Sequence, residues 1–199
     1  MVSKKHGSEV HLGSITRSAA QTRIITAALA LFAEQGVGGT SLQMIADSIG
    51  VTKAAVYHQF KSRDDIVRAV AETGLARLEV GLEAAEAQGS RELAREYLIN
   101  DLIDIVVERR AMMGLLQHDP VMVRFVAEHP PFRHLIVRLY GLLVDGTEMD
   151  AESRVRVAML SSALGGTITH PLVKDLDDET LRSELRHLTR GLFTRTGSP

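Results

Sequence analysis

Helical periodicity is the feature of this 199-residue chain that most constrains its fold. Between about residue 17 and residue 193, apolar residues recur at helical spacing in nearly every segment, as in Ile25, Ala28, Leu29 and Phe32. No alternating segment longer than a few residues predicts a strand. The pattern therefore predicts an all-α fold with about nine helices.

Glycine, proline and capping residues mark the expected limits of these helices. Gly36 is expected to end the first helix, and the spacing of Thr40 and Gln43 is typical of a capping box that opens the second. Thr52 and Ser62 are expected to cap a short third helix and a long fourth one. The later helices are predicted from about Arg91 to Arg109, after the N-cap Asp119 with Pro120, after the break at Pro130 and Pro131, from Ala151 to Thr169, and from Glu179 to Phe193.

Composition excludes several classes of protein. The chain has no cysteine, which removes disulfide scaffolds, thiolate catalysis and cysteine-ligated zinc. The longest apolar run, Ala27 to Ala33, is too short for a membrane span, and no apolar stretch behind Lys4 and Lys5 indicates a secretory signal. We therefore expect a cytoplasmic protein.

Motifs for catalysis and for metal binding are also missing from the sequence. It contains no phosphate-binding glycine loop, no Gly-x-Ser-x-Gly elbow and no His-Glu-x-x-His. His129 and His134 are five residues apart with two prolines between them, so they do not form the i, i+4 pair of a helical metal site. We expect no enzymatic activity, no metal and no cofactor.

The net charge of −2 hides a difference between the two parts of the chain. Residues 1–65 hold seven basic and five acidic residues, whereas acidic residues are in excess in the remainder. A basic front and an acidic body indicate a module that faces a polyanion, attached to a body that does not.

Residues 40–60, TSLQMIADSIGVTKAAVYHQF, have the pattern of a helix, a tight glycine turn and a second short helix. A helix-turn-helix unit places its second helix in the major groove of DNA. The outward side chains suit this role: Thr52 forms hydrogen bonds, the small Ala54 and Ala55 permit close approach to bases, and Lys53, Tyr57 and Lys61 can bind phosphates. These residues predict a DNA-binding surface.

From Arg23 to about Val70 the sequence resembles the TetR (tetracycline-repressor) family of bacterial transcriptional regulators. The resemblance rests on Ile24 to Gly36, Thr40, Ile45-Ala46, Gly50-Val51, Val56-Tyr57, Phe60, Lys61 and Asp65. It implies a DNA-binding domain over residues 17–65 and a helical effector-binding and dimerisation domain over residues 66–199, after a flexible arm of residues 1–16. It further implies that Tyr57 and Lys61 contact phosphates, that Thr40 touches the DNA backbone, and that Thr52, Lys53 and Ala54 face the bases.

Each DNA-binding assignment has a structural alternative. Tyr57 is also compatible with a half-buried aromatic at the domain edge, and Lys53 and Lys61 with solvated lysines. His58, which we include among the contacts, is also compatible with packing or simple exposure. Lys4, Lys5 and Arg17 form either a minor-groove arm or, as we favour, a segment without DNA contact.

The last two helices offer surfaces for a homodimer. Because one recognition helix buries little surface, helix-turn-helix proteins tend to read two half-sites as dimers. The leucine stripe Leu181, Leu185, Leu188 and Leu192 and the small-residue face Ala158, Ser162 and Gly166 suit such an interface. The resemblance implies a four-helix bundle built from these helices, and the alternative is an ordinary intramolecular core.

The middle helices are expected to hold a pocket for an effector. Methionines and apolar residues adapt to irregular ligands, although at helical spacing they also occur as plain core. The candidate lining residues are Met112, Met113, Leu116, Met122, Phe125, Leu139, Tyr140, Leu143 and Met159, and the candidate polar anchors are His118, His134, His170 and Tyr140.

Together these patterns predict a homodimeric DNA-binding transcriptional regulator, with double-stranded operator DNA and a small-molecule effector as partners. The resemblance implies a repressor that leaves a palindromic operator when a small, largely apolar effector binds. The alternative is a helical ligand-binding or protein-interaction module with an unused DNA-binding head.

Overall fold

Ten α-helices make up the structure, a computed structural model that describes Leu12, residues 15–144 and residues 150–193, with side chains through Arg190. No strand occurs in these ranges, so the predicted all-α class is confirmed. The helices are α1 (Ala19–Gly39), α2 (Leu42–Ser48), α3 (Lys53–Gln59), α4 (Arg63–Glu86), α5 (Arg91–Glu108), α6 (Arg110–His118), α7 (Pro120–Glu128), α8 (Pro130–Leu143), α9 (Ala151–Thr169) and α10 (Asp178–Phe193), with a short 3-10 helix at Pro171–Val173.

The helix that sequence analysis missed is α6. It is separated from α5 by the single residue Arg109, whose φ of −126° and ψ of 42° lie outside helical geometry. Because the chain turns within one residue, no glycine or proline marks the boundary. The count of helices is therefore ten rather than about nine in the described part of the chain.

Most predicted helix caps are confirmed, and one is wrong. Thr52, Ser62 and Asp119 each accept a hydrogen bond from a backbone N–H in the first turn of the following helix. The second helix, however, is capped by Ser41, whose hydroxyl accepts from the N–H of Met44 at 3.2 Å. Thr40 instead donates its hydroxyl to the carbonyl of Gly36 at 2.9 Å.

Two glycines shape the N-terminal helices through backbone conformations that other residues rarely adopt. Gly36 has φ 78° and breaks α1, so that residues 37–39 form a separate helical turn. Gly50 has φ 66° and makes the tight turn between α2 and α3. The predicted turn positions are therefore confirmed. Each glycine redirects the chain between two helical segments.

The buried apolar residues form one continuous cluster from α1 to α10. The long α4 packs against α1 on one side and α5 on the other, and α6 packs against both α1 and α9. The N-terminal helices are thus in contact with the body through α4, α6 and α7. The domain boundary between residues 65 and 66 stays a prediction, and it falls inside α4.

None of the helices in the described ranges is long and apolar enough to cross a membrane. Lys4 and Lys5, which were considered for a DNA-binding arm, lie outside the described residues, as does the side chain of Leu192.

Candidate functional site

The helix pair α2–α3 is held together by side chains that point inward. Ile45, Ala46 and Val56 have no exposed surface, and the backbone N–H of Val51 donates to the carbonyl of Ala46 at 3.0 Å. Burial on this side fixes α3 against the rest of the N-terminal helices. The opposite side of α3 is left for contact with a partner.

That opposite side carries all the predicted contacts on and immediately before α3. Thr52, Lys53, Ala54, Tyr57 and His58 are all exposed to solvent. Tyr57 is 52% exposed, so about half of its surface is accessible to a partner. Tyr57 is thus half exposed, so its contact with a phosphate stays a prediction, and the alternative of a half-buried aromatic at the domain edge stays open.

The cations beside this surface have no carboxylate partner in the part of the chain that the structure describes. The ammonium of Lys61 lies 5.7 Å from the ring centroid of Tyr57 and donates to the carbonyl of His58 at 3.5 Å. Lys53 stands at the start of α3 and forms no ion pair there. Two uncompensated positive charges on one exposed face suit phosphate binding.

Thr40 is a predicted DNA contact that the structure places inside the molecule. Its side chain is buried, with 2% of the residue exposed, and its hydroxyl is used by the carbonyl of Gly36. Thr40 also lines a surface depression together with Ser41 and Lys53, so its predicted contact with the DNA backbone stays a prediction. The neighbouring Ser41 is exposed and is the side chain available at the start of α2.

Two arginines that sequence analysis did not assign hold the backbone of the N-terminal helices. Arg63 donates to the carbonyl of Val37 at 3.2 Å, and Arg23 donates to the carbonyl of Ile49 at 2.6 Å. The Ile49 carbonyl lies at the end of α2, and the Val37 carbonyl also accepts from the backbone N–H of Thr40. Both arginines therefore fix the backbone of the N-terminal helices, and Arg63 also lines a surface depression beside Lys53.

Arg17, a candidate for a DNA-binding arm, is engaged within the chain. Its guanidinium pairs with the carboxylate of Glu72 on α4. Burial raises the pKa of Glu72 above its usual value, although the charges of Arg17 and Arg68 act in the opposite direction. Arg17 therefore ties the start of α1 to α4 rather than extending away from it.

Asp119 joins the N-terminal helices to the body. One carboxylate oxygen accepts from the N–H groups of Val121 and Met122, both at 2.9 Å, and so caps α7. The other accepts from the N–H of Val37 at 2.9 Å, in the turn that follows Gly36. A cap predicted from sequence is thus also the hydrogen-bonded link between two parts of the molecule.

A cavity of about 500 Å³ lies in the body and is lined by residues of helices α4 to α9. Its size is within the usual range for sites that bind small organic molecules. Its wall is mainly apolar and includes the predicted Met113, Leu116, Leu139, Tyr140 and Leu143. The lining residues that sequence analysis missed are Leu75, Leu78, Leu102, Val106, Gln117, Val123, Val126, Ala127, Arg133, Ile136, Val137, Leu160, Ser161, Ser162 and Leu164.

The other predicted apolar liners do not face this cavity. Met112 is buried against α4, where its sulfur lies over Gly74. Met122 is fully buried in the core, and Phe125 stacks on His129 with ring centroids 3.7 Å apart. Met159 is 63% exposed on the outer side of α9. Periodicity identified these residues as helical but not which neighbour each one meets.

The predicted histidine anchors are also absent from the wall of the cavity. His118 lies beside the carbonyl of Gly114 at 3.2 Å, and His170 accepts from the N–H of Leu172 as the cap of the 3-10 helix. His134 is exposed on α8. Over the described ranges, no group of three or more metal-ligating side chains comes together.

The predicted dimer surface divides into two parts. Leu181 and Leu185 are 2% and 6% exposed and belong to the chain's own core, because α10 packs on α5. They are therefore not available to a partner. Leu188 is 64% exposed, and Ala158 and Ser162 are exposed on α9 with Gly166 partly so.

The profile described as "Bacterial regulatory proteins, tetR family" matches residues 24–70, which include α2, α3 and most of α1. Residues 24–70 thus match the DNA-binding domain of the TetR family, and this match supports membership of the chain in that family. The family consists of transcriptional regulators with an N-terminal DNA-binding domain and not of enzymes, so the expectation that the chain is not an enzyme is confirmed.

Individual relatives agree with this membership. The transcriptional regulator AcrR of Shigella flexneri is 36% identical over 109 residues, which cover 51% of this chain and about half the length of AcrR (51%). UidR of Escherichia coli K12 is 22% identical over 192 residues, covering 87% of this chain and 93% of UidR. A TetR-family regulator from Bordetella parapertussis shares the fold, with TM-score 0.66 and 17% identity over 86% of this chain and 94% of its own.

Proposed function

We propose that the chain is a homodimeric DNA-binding repressor whose affinity for a palindromic operator is lowered by a small, largely apolar effector. The observation that carries the proposal is the exposed face of α3, with Tyr57, Lys53 and the adjacent Lys61 uncompensated by acidic residues in the described ranges. Because its proposed partner is genomic DNA, we expect it to act in the cytoplasm. Repression needs only binding at a promoter and release from it.

The proposed contacts divide by type. Thr52, Lys53 and Ala54 stand at the N-terminal end of α3, the part of a recognition helix that meets base edges. Tyr57 and Lys61 lie further along the same exposed face and are proposed to bind phosphates, with His58 beside them. We leave Thr40 out of this set because its side chain is buried.

Release by an effector is proposed to act through Asp119. The cavity is lined by Leu116 and Gln117 at the end of α6 and by Val123 in α7, and Asp119 stands between these two helices. A molecule in the cavity therefore touches both α6 and α7, the helices on either side of Asp119. Asp119 in turn accepts a hydrogen bond from the N–H of Val37. If the effector favours a different α6–α7 arrangement, it also favours a different orientation of the N-terminal helices.

Dimerisation is proposed to use the exposed side of α9. Val155 and Met159 are 58% and 63% exposed, and they share one helical stripe with Ala158, Ser162 and Gly166. Leu188 adds a 64% exposed leucine from α10. Small residues between larger apolar ones permit close helix approach, which suits a four-helix interface.

The experiment that tests DNA binding compares two double variants. Lys53→Ala with Tyr57→Ala removes a cation and an aromatic ring from the proposed contact surface. Lys174→Ala with Tyr97→Ala makes the same chemical changes at exposed positions elsewhere, so it is the matched control. Affinity for genomic fragments, measured at stated salt, is expected to fall at least 10-fold in the first pair only.

The alternative, a helical ligand-binding or interaction module with an unused head, predicts a different outcome. Both double variants would then bind DNA as weakly as the wild type and would retain its biological activity. Circular dichroism and sedimentation would verify that all three proteins fold and assemble alike. Separately, the effector part of the proposal fails if no small molecule alters the affinity for the operator.

A further inference from the structure

We propose that the cavity binds an amphipathic monocarboxylate, with its carboxylate on Arg133 and its apolar body along α8. The role of this ligand as the physiological effector rests on the proposed function. The site itself rests on the cavity and its charge. Three observations support it: the position of Arg133, the absence of a counter-charge, and the apolar wall.

Arg133 shares one stripe of α8 with apolar residues of the cavity. Ile136, Val137 and Tyr140 follow it at i+3, i+4 and i+7, and all four residues line the cavity. Val137 is 60% exposed, as expected at an opening rather than in the interior. Arg133, itself exposed, thus stands at the mouth, and the wall beyond it becomes apolar.

The guanidinium of Arg133 is the only charge on the wall of the cavity within the described residues. It forms no ion pair there, whereas Arg138 on the same helix pairs with Glu86 at 2.7 Å and Arg124 on α7 pairs with Glu128 at 3.7 Å. Arg133 also lies in the first turn of α8, where the helix dipole disfavours a cation and favours an anion. An anionic ligand supplies the missing partner.

The remaining wall decides which anion fits. Gln117, Tyr140 and the two serines Ser161 and Ser162 are neutral, and the other lining residues are apolar. One guanidinium compensates one negative charge and matches the two oxygens of a carboxylate, whereas a dianionic phosphate would stay partly uncompensated beside apolar surface. A cationic ligand would be repelled, and a neutral one would leave Arg133 unpaired.

The length of α8 sets the size of the apolar body. Tyr140 lies seven positions after Arg133, a span of about 10 Å along the helix axis. A straight alkyl chain of medium length or an aryl-alkyl group fills such a span. We therefore choose decanoate as the probe, with decanol and decylammonium as its neutral and cationic counterparts.

Calorimetric titration of the full chain with the three probes tests the proposal without DNA. Decanoate is expected to bind at least 10-fold more tightly than decanol, with decylammonium weakest. Arg133→Gln is expected to abolish the preference for decanoate over decanol. Arg124→Gln removes an equal charge from a side chain outside the cavity wall and should leave that preference unchanged.

A second variant tests the same site in case Arg133→Gln does not fold. Val137→Glu puts a carboxylate four residues from Arg133 at an exposed position, so it should pair with Arg133 and weaken decanoate binding while decanol binding persists. Equal affinities for decanoate and decanol, unchanged binding in Arg133→Gln, or no binding of decanoate would each overturn the proposal.

Operator binding is measured separately. A chain that binds its operator but not decanoate overturns this inference alone. Decanoate binding without any change in operator affinity overturns only the effector role.

Discussion

Asp119 is the residue through which the N-terminal helices and the body depend on each other most directly. Its two carboxylate oxygens accept hydrogen bonds from different elements, one from the start of α7 and one from Val37. The same oxygen that meets Val37 lies 3.2 Å from where a Cβ at Gly36 would stand, so glycine there also permits the close approach. A carboxylate serves both partners because it has two acceptor oxygens.

We predict that Asp119→Asn uncouples the two parts while leaving the chain folded. An amide has one oxygen, so the side chain can cap α7 or accept from Val37 but cannot do both. The backbone N–H of Val37 should exchange with deuterium faster, and the ratio of DNA affinities without and with effector should move toward one. Asp119→Ala is the comparison, because it also removes the cap, at a cost of about 1 kcal/mol. A wild-type affinity ratio in Asp119→Asn would contradict the coupling role.

Glu72 gives a pH-dependent prediction. Because burial raises its pKa in the folded chain above the reference value of 4.5, the folded state takes up a proton at a higher pH than the unfolded state. As pH falls from 7 toward 4.5, the free energy of unfolding of the wild type should therefore rise relative to that of Glu72→Gln. Denaturant titrations at several pH values measure this difference. A relative loss of stability over the same window would contradict it.

At the residue scale, capping was largely predictable because it depends on local spacing. Thr52, Ser62 and Asp119 cap helices as their positions indicated. Thr40 and Ser41 are both good capping residues, and sequence alone chose the wrong one. The decision depends on the kink at Gly36, whose carbonyl accepts from the Thr40 hydroxyl. The second role of Asp119 was not predictable, because Val37 is 82 residues away in the chain.

At the element scale, the leucine stripe of α10 shows what periodicity can and cannot decide. The stripe predicted a helix with one apolar side, and this is confirmed. It did not tell whether that side meets another copy or the same chain. In the structure Leu181 and Leu185 pack on α5, and Arg182 and Arg186 bind Asp104 of that helix at 2.8 and 2.7 Å. Ion pairs from outside the stripe fix the direction in which it faces.

The packing of α4 on α5 leads to a prediction about two glycines. At Gly81 an added Cβ would stand 1.8 Å from a carboxylate oxygen of Asp101, which is buried and paired with Arg77. We expect Gly81→Ala to displace this pair and to lower the free energy of unfolding by about 1–3 kcal/mol. Gly141→Ala is the matched control, since no atom lies within 4 Å of its added Cβ inside α8. There the better helix former should raise stability by about 0.5–1 kcal/mol, and equal effects at both positions would contradict the account.

At the scale of the whole molecule, the composition of the cavity wall was harder to predict than the cavity itself. Five of the predicted residues line it, among them Met113 and Tyr140. Arg133 was missed although a local signal exists, because it lies at helical spacing from Ile136, Val137 and Tyr140. The contribution of α9 to the wall depends on long-range packing, such as the contact of Gln117 with Gly165, which sequence spacing does not contain.

The proposed dimer interface is tested by charging its exposed centre. Met159→Glu should give monomers in sedimentation equilibrium at concentrations where the wild type is dimeric, because a carboxylate buried between apolar helices lacks a partner. Val80→Glu is the control, since Val80 is 53% exposed on α4, outside the proposed surface. Both variants should keep their helical content. A fully dimeric Met159→Glu would show that another face holds the copies together.

Selection of genomic fragments tests most directly whether the exposed face of α3 reads specific DNA. The wild type, the Lys53→Ala/Tyr57→Ala variant and the Lys174→Ala/Tyr97→Ala control would be unfolded, freed of bound ligand, refolded and used in parallel at physiological salt. We predict that the wild type and the control enrich one short palindrome near a few promoters and that the first variant does not. A refolded wild-type protein that enriches no more than the Lys53→Ala/Tyr57→Ala variant would contradict the account.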